Sequence, residues 1–163
     1  MAYLPQGSKF QLEGFAELEQ QLRQMSQDFR GDLIARNTLV PAGKAAMQVV
    51  YNSAKVKAPV GNKPRDANNP IHMVDTIRLD ARIPTAKDRM SQYVNETDAA
   101  IAVVSVKKSA ISLAQEFGTS KMSAHPFLRP ALQENSSNVL TELKSQLSER
   151  INQYAQKLAR RRK

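Results

Sequence analysis

Thr76-Ile77-Arg78-Leu79-Asp80-Ala81-Arg82-Ile83 alternates without a break, with Ile77, Leu79, Ala81 and Ile83 on one side and Arg78, Asp80 and Arg82 on the other. A period of two marks a strand with one solvated face. Long helical periods stand before and after this stretch, so a strand here makes the fold α+β rather than all-α. A second strand is expected from Ala99 to Val106, where Ile101, Val103 and Val104 are β-branched. Gln92 to Val94 is expected to pair with it across the turn Asn95-Glu96-Thr97-Asp98.

Upstream, Phe15, Leu18, Leu22, Met25 and Phe29 recur at spacings of three and four, the stripe of an amphipathic helix that Gly31 would end. A second helix follows, capped near Asn37-Thr38 with Pro41 in its first turn and an apolar face of Ala45, Ala46, Val49 and Val50. Ala58-Pro59 should stop it, because the residue before proline avoids the α region. Residues 59–75 hold Pro59, Gly61, Pro64 and Pro70 among asparagines and read as one extended loop. Downstream, Ala110 to Phe117 reads as a short helix with Leu113 and Phe117 on one face. Leu132, Val139, Leu143, Leu147, Ile151, Tyr154 and Leu158 trace the stripe of a long last helix. The expected architecture is two N-terminal helices, a small antiparallel sheet of about three to four strands, and a long C-terminal helix. One domain over residues 1–156 with a basic tail at 157–163 fits a chain of this length.

Between the short and the long helix stands Glu116-Phe117-Gly118-Thr119-Ser120-Lys121-Met122-Ser123-Ala124-His125-Pro126-Phe127-Leu128-Arg129-Pro130-Ala131-Leu132. Gly118 can take a positive φ, and Thr119 and Ser120 can bond locally, so a turn is expected there. Pro126 and Pro130 fit only where a helix N–H would be unpaired anyway, which starts the long helix between them or at Pro130. Phe127 and Leu128 read as an apolar anchor. Glu116 and Arg129 are either an ion pair that fixes the turn or two solvated charges. His125 either caps the helix start or faces a neighbouring subunit.

This block resembles the small head-tail joining family of long-tailed bacteriophages, the gene-product-10-like tail components of the neck and tail-completion machinery. Two further segments resemble the same family in the same order. Gly14-Phe15-Ala16-Glu17-Leu18 is similar to the start of the family's first helix; Ala58-Pro59-Val60 with Gly61, then Met73-Val74-Asp75-Thr76-Ile77, is similar to its central segment. The stretch from Asn62 to His72 is longer than the family's usual link, and the basic residues after Tyr154 are not part of its motif.

The resemblance implies a structural virion protein at the head-tail interface, made in the host cytoplasm and not an enzyme. It implies a homo-oligomeric ring, a hexamer in preference to a dodecamer. Its partners would be the tail tube or tail terminator and the head connector, with duplex DNA passing through. Glu116, Phe117, Gly118, Thr119, His125, Pro126, Phe127, Leu128, Arg129 and Pro130 are then the expected subunit or partner interface.

Composition bounds the alternatives. The net charge is +9, and Lys157, Arg160, Arg161, Arg162 and Lys163 place five of those cations in the last seven residues, leaving a mildly basic body. That cluster could hold DNA phosphates, meet an acidic partner or stay solvated, and no aromatic residue interleaves with it to stack on bases. A free-standing nucleic-acid-binding protein is therefore one alternative. A metal-dependent nuclease using Asp66, Asp75 or Asp80 is a weaker one. Neither His72 nor His125 has a ligand partner at helical spacing, and there is no cysteine, no nucleophile elbow and no phosphate-binding glycine loop. No metal, cofactor or catalytic residue is expected, and no signal peptide or membrane partner.

Overall fold

The computed structural model describes residues 16–21, 34–59 and 72–161. Residues 16–21 form helix α1, which buries Leu18; the other residues of the expected stripe and the Gly31 stop lie outside the described residues. A π-turn over Ala35–Leu39 leads without interruption into α2, Val40–Lys57. Asn37 and Thr38 lie inside that π-turn and do not cap the helix, and Thr38 is buried. Pro41 supplies a physical reason. It has no N–H to give and its ring crowds the carbonyl four residues back, a conflict that a wider turn just before it relieves, with the Val40 N–H reaching the Ala35 carbonyl. The other end behaves as expected: Ala58 leaves the helix at ψ 130 before Pro59.

The central loop is shorter at its far end than the sequence suggests, because Met73–Thr76 forms a 3-10 turn in which the Asp75 carboxylate accepts from the His72 N–H. Residues 60–71, Asp66 among them, lie outside the described residues. Strand β1, Arg78–Arg82, then pairs antiparallel with β2, Ile101–Ser105, in the register Arg78 to Ser105, Asp80 to Val103 and Arg82 to Ile101. The alternation holds, with Ile77 buried beside the sheet and Arg78 and Asp80 exposed.

Among the described residues the sheet has two strands, fewer than the three to four expected. Gln92 to Val94 is not a strand, although the Asn95–Asp98 turn forms as expected. The cause is a competing local structure. Thr85 and Asp88 make a reciprocal capping box that starts the short helix α3, Ala86–Arg89. The Arg89 guanidinium then donates to the carbonyls of Asn95, Glu96 and Asp98, holding the connection as a knot of turns.

Asp88 also accepts from the Arg82 guanidinium, and this bond, followed by those from the Thr85 N–H and hydroxyl, holds its carboxyl well below the usual carboxylate range. A carboxylate depressed in the folded state stabilises it above the unfolded group's titration near about 4 and loses that contribution as the pH falls through the folded value. Asp88→Asn is therefore expected to be less stable than wild type at neutral pH, with the gap narrowing as the pH falls below about 4. Urea midpoints across that range measure it.

Helix α4, Ala110–Phe117, and helix α5, Leu128–Arg161, complete the order. Helix α2 lies between the sheet and the antiparallel α5. Its buried line is Ala42, Ala46, Val50 and Ala54, with Ala45 and Val49 half-buried, so the apolar face is rotated from the expected one but keeps its small residues. Small side chains let neighbouring helices approach closely. Along α5 the line runs through Ala131, Val139, Leu143, Leu147 and Ile151, with Leu132 turned outward at 48% exposure and Tyr154 half-buried. Ala131, fully buried against Val50 and Ala54, takes the place expected of Leu132 because the close contact admits only a methyl group. The Leu158 side chain lies outside what is described.

Candidate functional site

The Glu116–Pro130 stretch is built around one carboxylate. Ser109 caps α4 through the Ser112 N–H, and Ser112 in turn bonds back to the Lys107 carbonyl, so the helix is fixed at its start. At its end, the α4 face toward the body carries Ser112 and Glu116, both buried. The Glu116 carboxylate accepts from the backbone N–H groups of Phe127 at 3.0 Å, Leu128 at 3.1 Å and Arg129 at 3.2 Å. These are donors at the start of α5 that have no partner within that helix. The negative charge also sits at the positive end of the helix dipole.

Between the two helices the chain makes a tight reversal. Gly118 adopts φ 76 and ψ 178, a region open essentially to glycine alone. A Cβ there would stand 2.9 Å from the Ala124 nitrogen and 3.1 Å from the Met122 oxygen. Thr119 and Met122 then bridge, and the His125 N–H donates to the Gln115 carbonyl at 2.7 Å. Gly118→Ala is expected to cost about 2 kcal/mol or more through backbone strain and this collision, read as a lowered urea midpoint.

The expected interface residues divide sharply. Phe127 is wholly buried in the same chain, in a cluster with Ala58 and Ile77 that Tyr51, Met73, Val104, Val106 and Leu128 surround. It is a core residue here and offers nothing to a neighbour. Glu116 is buried as the cap, while Gly118, Leu128 and Pro130 are half-buried. Phe117, Thr119, His125, Pro126 and Arg129 are exposed. His125 leaves the capping of α5 to Glu116, and its backbone, not its ring, ties the turn down.

Glu116 and Arg129 do pair, at 3.5 Å. Arg129 also lies over the Phe117 ring, 4.5 Å from its centroid. Leu113 and Phe117 share a face of α4 as expected, but that face points outward, at 43% and 64% exposure. Leu132 is one turn from Arg129 and continues the patch onto α5.

A second feature had no signal in the sequence. A cavity of about 440 Å³ opens where Leu39 at the end of the π-turn, the early part of α2 (Gly43, Met47), the segment Thr97–Ala102 and α5 (Val139, Leu143) meet. Its walls are mostly apolar, and Asp98 is the charged residue among the described ones that line it.

Of the basic tail, Lys157 and Arg160 are exposed on the last turns of α5, Arg161 ends the helix, and Arg162 and Lys163 lie outside the described residues. Asp80 is engaged by Arg82 and Asp75 by its own turn. Among the described residues no group of three His, Cys, Asp or Glu could hold a metal ion, and no helix is long and apolar enough to cross a membrane. Compared with known proteins, the chain matches no family model, no curated protein and no solved structure.

Proposed function

We propose that this chain is a structural virion protein at the head-tail joint of a long-tailed phage. Copies form a ring that connects the tail tube to the head connector and lets DNA pass. Its work is binding, and no chemistry is required of it. The observation that supports this best is where the family-like segments meet. Ala58 and Ile77, at the two ends of the central segment, and Phe127, in the signature block, are far apart in sequence and form one buried cluster. Residues that resemble a family and also pack on one another are what a shared fold would produce; fold alone does not carry function, so the role follows from the resemblance.

Disruption of the gene in its source phage or prophage, followed by electron microscopy of the particles, tests the reading. Filled heads separate from tails are expected, and intact infectious particles would overturn it.

The exposed Lys157 and Arg160 favour a phosphate contact at the far end of α5, either with DNA in transit or in a free-standing nucleic-acid-binding protein. Replacing Arg160, Arg161 and Arg162 with Ala should flatten the salt dependence of duplex binding by up to roughly 0.9 logarithmic units for each phosphate that is no longer neutralised. Salt titration by fluorescence anisotropy measures it, and an unchanged slope removes the tail as the DNA contact. The nuclease alternative gains nothing from the described residues, since Asp75 and Asp80 are already bonded.

A further inference from the structure

The outward patch and the cavity are both largely apolar and carry opposite charges. In the patch, Leu113 and Phe117 are exposed on α4 with the Arg129 guanidinium over the Phe117 ring, and Leu132 is exposed one turn along α5 from Arg129. Lys121 is exposed in the adjoining reversal. The cavity is concave and apolar, with Asp98 in its wall and Glu96 exposed on the neighbouring turn. At about 440 Å³ it is large enough for an aromatic side chain and a neighbour. A cation thus accompanies the projecting ring, and an anion lines the recess.

The two features cannot meet within one molecule. Phe117 sits over the first turn of α5, whereas Val139, Leu143 and Leu147 in the cavity wall lie roughly 16–28 Å further along that helix, at 1.5 Å per residue. A surface that matches a different surface on an identical copy makes a heterologous contact, which closes into a ring or continues as a filament.

We propose that the Phe117 patch of one copy seats in the Asp98-lined cavity of a second copy, with Arg129 brought toward Asp98. As the contact of a ring this rests on the function proposed above, whereas the complementarity itself rests on the geometry alone. A buried aromatic with a flanking arginine is a common energetic centre of interfaces.

Two variants of the full chain test it, each altered at an exposed position away from the core. Phe117→Ser removes the projection and keeps the cavity; Ala99→Arg obstructs the cavity and keeps the projection. Light scattering should find wild type assembled beyond the monomer, and each variant weakened in association by about 30-fold or more. Mixed in equal amounts, the variants should form a dimer and nothing larger, because only one intact contact can be made between them. Recovery on mixing also shows that both are folded. Wild type that stays monomeric up to about 1 mM, variants that assemble like wild type, or a mixture that stays monomeric would each overturn the contact.

As a second measurement, the chain has no cysteine, so a Phe117→Cys, Ala99→Cys double variant should give a ladder of disulfide-linked oligomers on oxidation. Peptide mapping should find these disulfides joining position 117 of one copy to position 99 of the next; disulfides only between like positions, which chance collisions would also give, would overturn the contact. The particle phenotype is independent of these readouts. Head-to-tail assembly in solution alongside infectious particles from the disrupted phage would sink the proposed function and leave the contact standing.

Discussion

Phe127→Ala is expected to remove about 3–5 kcal/mol of folding stability, the range for truncating a fully buried phenylalanine. A domain of ordinary stability has roughly 5–15 kcal/mol in total, so the variant should be partly unfolded at physiological temperature. The ring is wholly buried and touches three structural levels at once: the end of α2 through Ala58, the lead into β1 through Ile77, and the end of β2 through Val104 and Val106. The Phe127 N–H is one of the three donors to the Glu116 cap, so the backbone at this position is held in place. The chain has no tryptophan, so the helical circular dichroism signal is the probe for urea unfolding. A lowered midpoint with an unchanged slope is the expected result. Phe127→Leu, which keeps most of the volume, should cost less than about 1.5 kcal/mol. If Phe127 instead anchored a neighbouring subunit, the alanine variant would keep its stability as a monomer and lose only assembly.

That contrast shows how much of the molecule was legible beforehand. Alternation at Ile77–Ile83, the proline after Ala58 and the proline pair around Phe127 each constrain the backbone locally, and each predicted its element. Most of the failures are tertiary. A Phe-Leu pair at a helix start looks the same in sequence whether it faces the body or a partner, and only the packing of Ala58 and Ile77 on Phe127 decides it. Leu113 and Phe117 have the spacing of a core stripe, but burying Glu116 as a cap turns α4 so that this stripe faces out. A carboxylate that satisfies three donors outweighs the apolar area left exposed on so short a helix. The cavity had no signal at all, being formed by segments 37 to 50 residues apart that meet only through the packing of α2, β2 and α5. The expected extra strand failed because the Thr85–Asp88 capping box starts a short helix just before it, and Arg89 at the end of that helix ties down the Asn95–Asp98 turn.

Glu116→Ala should cost about 3 kcal/mol, through three backbone donors left unpaired at a partly buried helix start. The cap and the ion pair contribute unequally. Arg129 is 56% exposed, so its pairing with Glu116 is screened by water and should be worth about 1 kcal/mol or less. Glu116→Gln offers one acceptor oxygen where the carboxylate has two, and its amide group would face an N–H, so a loss of about 1–2 kcal/mol is expected. Arg129→Leu keeps all three caps and should fall lowest in the series. The order Ala, then Gln, then Arg129→Leu in urea midpoint loss supports the cap as the main contribution; an Arg129→Leu loss equal to that of Glu116→Ala would assign it to the ion pair. The consequence reaches the surface. Glu116 joins the end of α4 to the start of α5, and Phe117 and Arg129 are its immediate neighbours on those two helices. Without the cap the ring and the guanidinium lose the frame that aims them outward, so Glu116→Gln should weaken self-association even at temperatures where the chain remains folded.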